Sequence, residues 1–306
     1  MKKKNLIFFV FLAFLLITII ISPSKFINAG LQGISAWAFN VLPAVFPFMI
    51  LSQLLLSTGY IEKVCKPFSP IFKKAYKTSS YSFYVFFVSI LSGYPVGSKM
   101  IADLYEQDRI TKKDAFVMSS FCSNSGPMFI VGAVGIGMLC SAKAGYVMLL
   151  SHIIGAILNG FLYRNLKIKE SEKTRILAPT TQPTFGDIIE NSCKSILSVG
   201  GIIMFFFIVI EFVSLIISPL SPELQSIIFG MVEITKGSLT ISQIFPLKMA
   251  TIISTVVITF GGISTALQSI SLLKRVQMPL GLFLLQKLTQ AIFAGVIAFV
   301  LSLLMF

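Results

Sequence analysis

Cys122-Ser123-Asn124-Ser125-Gly126-Pro127 and Phe260-Gly261-Gly262-Ile263-Ser264-Thr265 each interrupt a long apolar run with polar, glycine-rich sequence. A backbone that leaves the helix inside a bilayer exposes N–H and C=O groups that lipid cannot satisfy. Such a break persists only against protein or a wet cavity. A matched pair, one in each half of a chain, marks a binding region near the membrane midplane.

The surrounding composition fits a bilayer as solvent. The chain has 306 residues, 55% hydrophobic and 12% charged, with a mean hydropathy of +0.88. That leaves room for about seven to nine membrane segments of roughly 20 residues, and none for a separate catalytic domain. The formal net charge is +13, yet the aromatic residues sit in apolar runs and not between basic ones, so no nucleic-acid stacking platform forms. The four cysteines, Cys65, Cys122, Cys140 and Cys193, lack paired spacing and read as apolar thiols, not as a zinc site or disulfide framework. Met1-Lys2-Lys3-Lys4 precedes an apolar run to Ile21 with no clear cleavage site, which favours a retained first helix.

Full spans are expected over 5–22, 37–58, 116–139, 143–164, 195–218, 249–273 and 280–304. Two apolar runs are too short to cross. Phe83 to Leu91 ends at Gly93-Tyr94-Pro95-Val96-Gly97-Ser98 and continues as an amphipathic stretch to Glu106. Leu224 to Ile234 ends at Thr235-Lys236-Gly237-Ser238. Both read as re-entrant hairpins. With the N-terminus cytoplasmic, this arrangement puts most of the 25 lysines and arginines inside and only Lys25, Lys143 and Lys248 in external loops. The order of hairpin, broken span and span then occurs twice in opposite orientation. Gly126 and Gly261, His152 and Lys287, and Gly160 and Gly295 recur at the same separation. The fold expected is therefore an all-α polytopic membrane protein with about seven spans and two hairpins, in two inverted repeats.

Each break carries its own chemistry. Pro127 lacks an N–H and leaves the carbonyl of Ser123 without its helical partner. Gly126 lets the chain turn without steric cost. Carbonyls before the break suit a cation and free N–H groups after it suit an anionic or polar group. Asn124 and Ser125 add side-chain donors and acceptors. Gly261, Gly262, Ser264 and Thr265 do the same from the other half, with Gln268 one turn on. The competing reading is a kinked helix whose glycines serve close packing. Tyr94, Pro95, Gly97 and Ser98 at one hairpin tip, and Glu233, Thr235 and Gly237 at the other, are the candidate gate and contact residues. Lys99 and Lys236 beside them read equally well as solvated.

Among ionisable residues within spans, His152 offers a proton relay but reads better as a hydrogen-bonded packing residue. Lys287 lies within snorkelling reach of the cytoplasmic surface, and Glu211 close to the outer one. The sequence has no metal-ligand cluster, no phosphate-cradling loop and no complete nucleophile arrangement, so neither an enzyme nor a cofactor is expected.

Ser92-Gly93-Tyr94-Pro95-Val96-Gly97-Ser98-Lys99 leading into Asp103-Leu104-Tyr105-Glu106, then Phe121 to Pro127 with Gly132, Gly135 and Gly137, resembles the YlbJ family of sporulation integral membrane proteins. Glu233-Ile234-Thr235-Lys236-Gly237 and Phe260 to Ser264 with Gln268 resemble its second-half motifs. That family carries a nucleoside-recognition (Gate) domain, also present in concentrative nucleoside transporters and the ferrous-iron uptake membrane protein. The resemblance implies a bacterial cell-membrane protein of spore formers linked to the spore cortex, with an inverted-repeat fold. It divides the chain into an N-terminal helix and external loop (1–36), a first Gate-like repeat (37–164), a cytoplasmic linker (165–186) and a second, inverted repeat (187–306). Lys236 departs from the neutral amide that the family pattern implies. The function expected is transport of a small polar solute or ion, with coupling by Na⁺ or H⁺. The alternative is a non-transporting assembly factor whose basic surface from Lys63 to Lys77 docks an acidic sporulation partner or anionic lipid.

Overall fold

The computed structural model describes residues 3–168 and 184–306, and their regular structure is helical throughout. Most of the expected linker over 165–186 lies outside the described residues. Five helical stretches are long and apolar enough to cross a membrane: Pro23–Ser57, Ala142–Tyr163, Phe185–Ile217, Leu247–Val276 and Leu280–Met305. Shorter apolar helices accompany them. The protein is a polytopic, all-helical membrane protein.

The chain begins with α1 (Lys3–Ile21) and α2 (Pro23–Ala36). A wide π turn (Trp37–Val41) leads into α3 (Leu42–Ser57). Residues 23–36, expected as an external loop, are thus helix. Pro23 supplies a preset φ at the helix start, and Phe26, Ala29, Gly30 and Gly33 form a buried stripe. That stripe meets Met204, Phe207 and Ile208 of a later helix. Two short helices follow, α4 (Tyr60–Cys65) and α5 (Ser69–Tyr76).

The first hairpin is α6 (Ser82–Ser92) and α7 (Val96–Glu106), joined at Gly93-Tyr94-Pro95. Each arm has 11 residues, roughly 16 Å of helix, about half the ~30 Å hydrocarbon thickness. The broken element follows as α8 (Lys112–Ser119), irregular chain through Pro127, and a π-helix over Met128–Met138. A capping box between Thr111 and Asp114 starts α8. Then comes α9 (Ala142–Tyr163).

The second half opens with α10 (Phe185–Ile217), which starts earlier than the expected 195 because Thr184 and Asp187 form a capping box. The second hairpin is α11 (Pro222–Val232) and α12 (Ile234–Ile244). Its turn is Glu233 alone, not the Thr235–Ser238 stretch. The Glu233 N–H closes α11 on the Phe229 carbonyl at 2.7 Å. Its carboxylate accepts the Lys236 N–H at 2.7 Å and starts α12. The second broken element is α13 (Leu247–Phe260) and α14 (Gly262–Leu273), and α15 (Leu280–Met305) ends the chain. Gly261, between the two helices, and Gly262, the first residue of α14, take φ of +90° and +68°, a turn that glycine makes without strain.

The two halves share their cores. One buried cluster joins Val85, Ile101 and Phe121 of the first half to Ala266, Ile270 and Phe283 of the second. Another joins Ile130, Val134 and Met148 to Ile234, Ile241 and Val257. Each hairpin therefore packs against the broken element of the opposite half. Helices α9 and α15 pack closely, with Gly155 of one against Ala294 of the other, which lets polar side chains on both reach the breaks.

Candidate functional site

Both breaks and both hairpin turns converge on one cavity of about 100 Å³. Its polar wall carries Tyr94, Ser125, Gly126, Glu233, Thr235, Ser264, Thr265 and Gln268. Its apolar wall comes from Val41, Val45, Phe48 and Met49 on the α2–α3 rod and from Val199, Ile202 and Ile203 on α10. Glu233 is the only carboxylate in this lining and is 2% exposed. Gln268 Nε2 donates at 3.4 Å to the Ser264 carbonyl, and the Thr265 hydroxyl donates to the carbonyl of Gly261. An apolar wall facing a few convergent polar groups suits a small solute.

The other sequence-predicted residues build the walls without lining the cavity. Asn124 is buried behind it, donating to Ser89 Oγ at 2.9 Å and to the Phe121 carbonyl at 2.7 Å. Pro95 caps the start of α7 and Pro127 that of the π-helix. Gly97 lies against the Cys122 carbonyl, Gly237 against Gly230, Gly261 against Tyr94 and Gly262 against the Gly230 and Val232 carbonyls. Ser98 is buried within α7. Lys99 is exposed and pairs with Asp103 at 2.9 Å. Lys236 Nζ donates to Gln32 Oε1 at 2.9 Å, in a separate cleft of about 720 Å³ beside α2.

Lys287 corrects the sequence reading. It does not snorkel; it is 2% exposed and points into the first break. Its ammonium donates to the Ser123 carbonyl at 2.7 Å, Gln290 Oε1 at 2.7 Å and Tyr94 Oη at 2.9 Å. Gln290 Nε2 in turn donates to Asn124 Oδ1 at 3.0 Å. His152 Nε2 accepts the Ser125 N–H at 3.1 Å while Nδ1 lies 2.9 Å from Thr259 Oγ1. An amide N–H can only donate, so Nε2 is the acceptor and Nδ1 carries the proton. Asn159 Nδ2 bridges the Ser120 and Gln286 carbonyls at 2.7 and 2.9 Å. The missed signal was periodicity: Gln286, Lys287 and Gln290 share one face of α15, and His152 and Asn159 one face of α9. Among the described residues, no group of three His, Cys, Asp or Glu side chains could hold a metal ion.

Residues 38–141 match the Gate family, described as nucleoside recognition. The Gate match runs from the π turn before α3 to the end of the π-helix, and so includes the first hairpin and the first break. The chain is also similar to the sporulation integral membrane protein YlbJ of Bacillus subtilis (strain 168), at 26% identity over 339 aligned positions, covering 98% of this chain and 83% of that protein. No solved structure matches the chain.

Proposed function

We propose that this protein moves a small polar solute or ion across the cell membrane through the cavity between its two breaks and two hairpin turns. The convergence of all four elements on one cavity carries this reading. The repeated order of hairpin, broken helix and long helix supports an inverted repeat, with the N-terminus cytoplasmic by the distribution of basic residues. The name of the Bacillus subtilis relative supports a role in sporulation, and formation of the spore cortex is the process we assign to it. We read the chain as a non-enzyme that needs no cofactor.

Thermal stabilisation of the purified protein against nucleosides, amino acids, carboxylates, metal ions and Na⁺ tests the reading. A ligand that binds only the folded form raises the melting temperature with occupancy. A saturable shift lost in Gln268→Ala and Ser125→Ala supports the site. Asn124→Ala would instead report on the fold, because Asn124 is tied into the wall. No shift across the panel, with no uptake into liposomes, sinks the transport reading.

One observation favours an assembly role as the second reading. Helices α4 and α5 expose Lys63, Lys73 and Lys74 beside exposed Tyr60, Val64 and Ile71, an amphipathic basic surface suited to anionic lipid or an acidic partner protein.

A further inference from the structure

We propose that Lys287 is a tethered cation: its ammonium occupies an oxygen-lined monovalent-cation subsite at the first break, in place of a free metal ion. The site exists because the chain leaves an oxygen bare. Residues 123–126 are out of helix, so the Ser123 carbonyl has no intrahelical donor, and a buried carbonyl without a donor is costly. The oxygens of Ser123, Gln290 and Tyr94 surround one point, 2.7 to 2.9 Å from Lys287 Nζ. Neutral, hard oxygen donors are the ligand type that alkali and alkaline-earth cations take.

The orientation of each oxygen is set from behind. Gln290 turns its oxygen to Lys287 because its amide nitrogen donates to Asn124 Oδ1 at 3.0 Å. Asn124 is fixed in turn because its own nitrogen donates to Ser89 and to the Phe121 carbonyl. The Tyr94 hydroxyl proton faces the Thr259 carbonyl at 3.5 Å, which leaves its lone pair for the lysine. Three acceptors thus face Nζ, and an ammonium has three donors.

The charge is met by dipoles and by a ring. Among the described residues Lys287 takes part in no ion pair, and its Nζ lies 5.1 Å from the centroid of the Tyr94 ring. Tyr94 also lines the cavity, so the tethered charge joins the first hairpin turn, the first break and the solute space. A protein with this arrangement needs no Na⁺ at the carbonyl end of its first break. The assignment deepens the solute-site reading and rests on it for its functional meaning. Its test turns on what small cations do to Lys287→Ala and not on solute binding in the cavity, so either can fail alone.

The test is the melting temperature of wild type, Lys287→Ala and Lys287→Met in NaCl, KCl, ethylammonium chloride and choline chloride at equal ionic strength. Wild type should melt alike in NaCl, KCl and choline chloride. Lys287→Ala vacates the oxygens and should gain a saturable shift with Na⁺, K⁺ or ethylammonium that choline does not give. Lys287→Met fills the volume without charge and should melt lower than wild type in every salt, without rescue. If Lys287→Ala cannot be recovered in choline chloride, recovery of monodisperse protein in ethylammonium chloride carries the same meaning. The proposal is overturned if Lys287→Met melts as wild type does. It is equally overturned if no small cation stabilises or recovers Lys287→Ala, or if Na⁺ stabilises wild type and Lys287→Ala equally.

Discussion

Lys287 donates at 2.7 Å to the carbonyl of Ser123, an oxygen in the irregular stretch between α8 and the π-helix. A residue of the last helix thereby satisfies a backbone carbonyl exposed by the break in the first half. The counterpart in the second half is weaker: the Thr259 carbonyl, near the end of α13, faces the Tyr94 hydroxyl at 3.5 Å. At both breaks a backbone carbonyl thus meets a side-chain donor from another element, as irregular backbone in a membrane protein requires.

Gln290 connects that lysine to Asn124. Gln290→Leu should leave one ammonium donor and the Asn124 Oδ1 without partners in a buried place, a loss of about 1–3 kcal/mol. Melting of the purified protein reads this directly. An unchanged melting temperature would mean the network does not hold the break.

The two hairpins depend on close approach at one glycine each. A Cβ at Gly97 would lie 1.8 Å from the Cys122 carbonyl oxygen, and one at Gly237 would lie 2.0 Å from the Gly230 Cα. Backbone cannot yield as a flexible side chain can, so Gly97→Ala and Gly237→Ala should each destabilise by about 1–3 kcal/mol or more. Gly281, in the first turn of α15, has nothing within 4 Å of such a Cβ. Gly281→Ala should be neutral or stabilising by up to ~1 kcal/mol. Equal melting of all three variants would refute the packing assigned to the hairpins.

Glu106 at the end of α7 receives Arg275 Nε at 2.7 Å and a second guanidinium nitrogen, while Asp103 also pairs with Arg275, at 2.8 Å. The Arg275 hydrogen bond, partly offset by burial, holds the Glu106 carboxyl below its ordinary range. A carboxyl with a lowered folded pKa stabilises the fold above its unfolded pKa of ~4.3. That contribution is lost as pH falls through the folded value. Acidification from about pH 6 to 3 should therefore lower the melting temperature of wild type more than that of Arg275→Gln. The pair is partly exposed, so the difference amounts to about 1 kcal/mol or less. Parallel acid curves for the two proteins would be the contrary result.

The breaks and hairpins were legible because glycine, proline and small polar residues interrupt otherwise apolar runs, and because an apolar run of eleven residues is too short to cross. The Glu233 turn was not. A carboxylate that ends one helix and starts the next looks, in sequence, like any acidic residue before an amphipathic stretch. Residues 23–36 read as a loop because their polar positions hid a buried stripe that only α10 reveals. Lys287 was misread for a physical reason. A lysine stem reaches the membrane surface from a shallow depth, and only its partners show whether it points there or inward.

His152 bears on whether the proposed site could carry a proton. Its Nε2 accepts from the Ser125 N–H and its Nδ1 proton points at Thr259 Oγ1. A second ring proton would set two N–H groups against each other at Ser125, so the ring cannot carry a proton without opening the break. His152 then acts as a strut between the first break and α13, and removing it should weaken the fold without changing any proton dependence. In His152→Gln the amide oxygen can still accept from Ser125, whereas in His152→Leu nothing can. The leucine variant should melt lower, by about 1–3 kcal/mol, and Thr259→Val, which leaves the buried Nδ1–H without its acceptor, should cost a similar amount. In His152→Gln, solute binding between about pH 6 and 8 should keep the wild-type pH profile. A profile that flattens in this variant would make the ring a proton carrier after all.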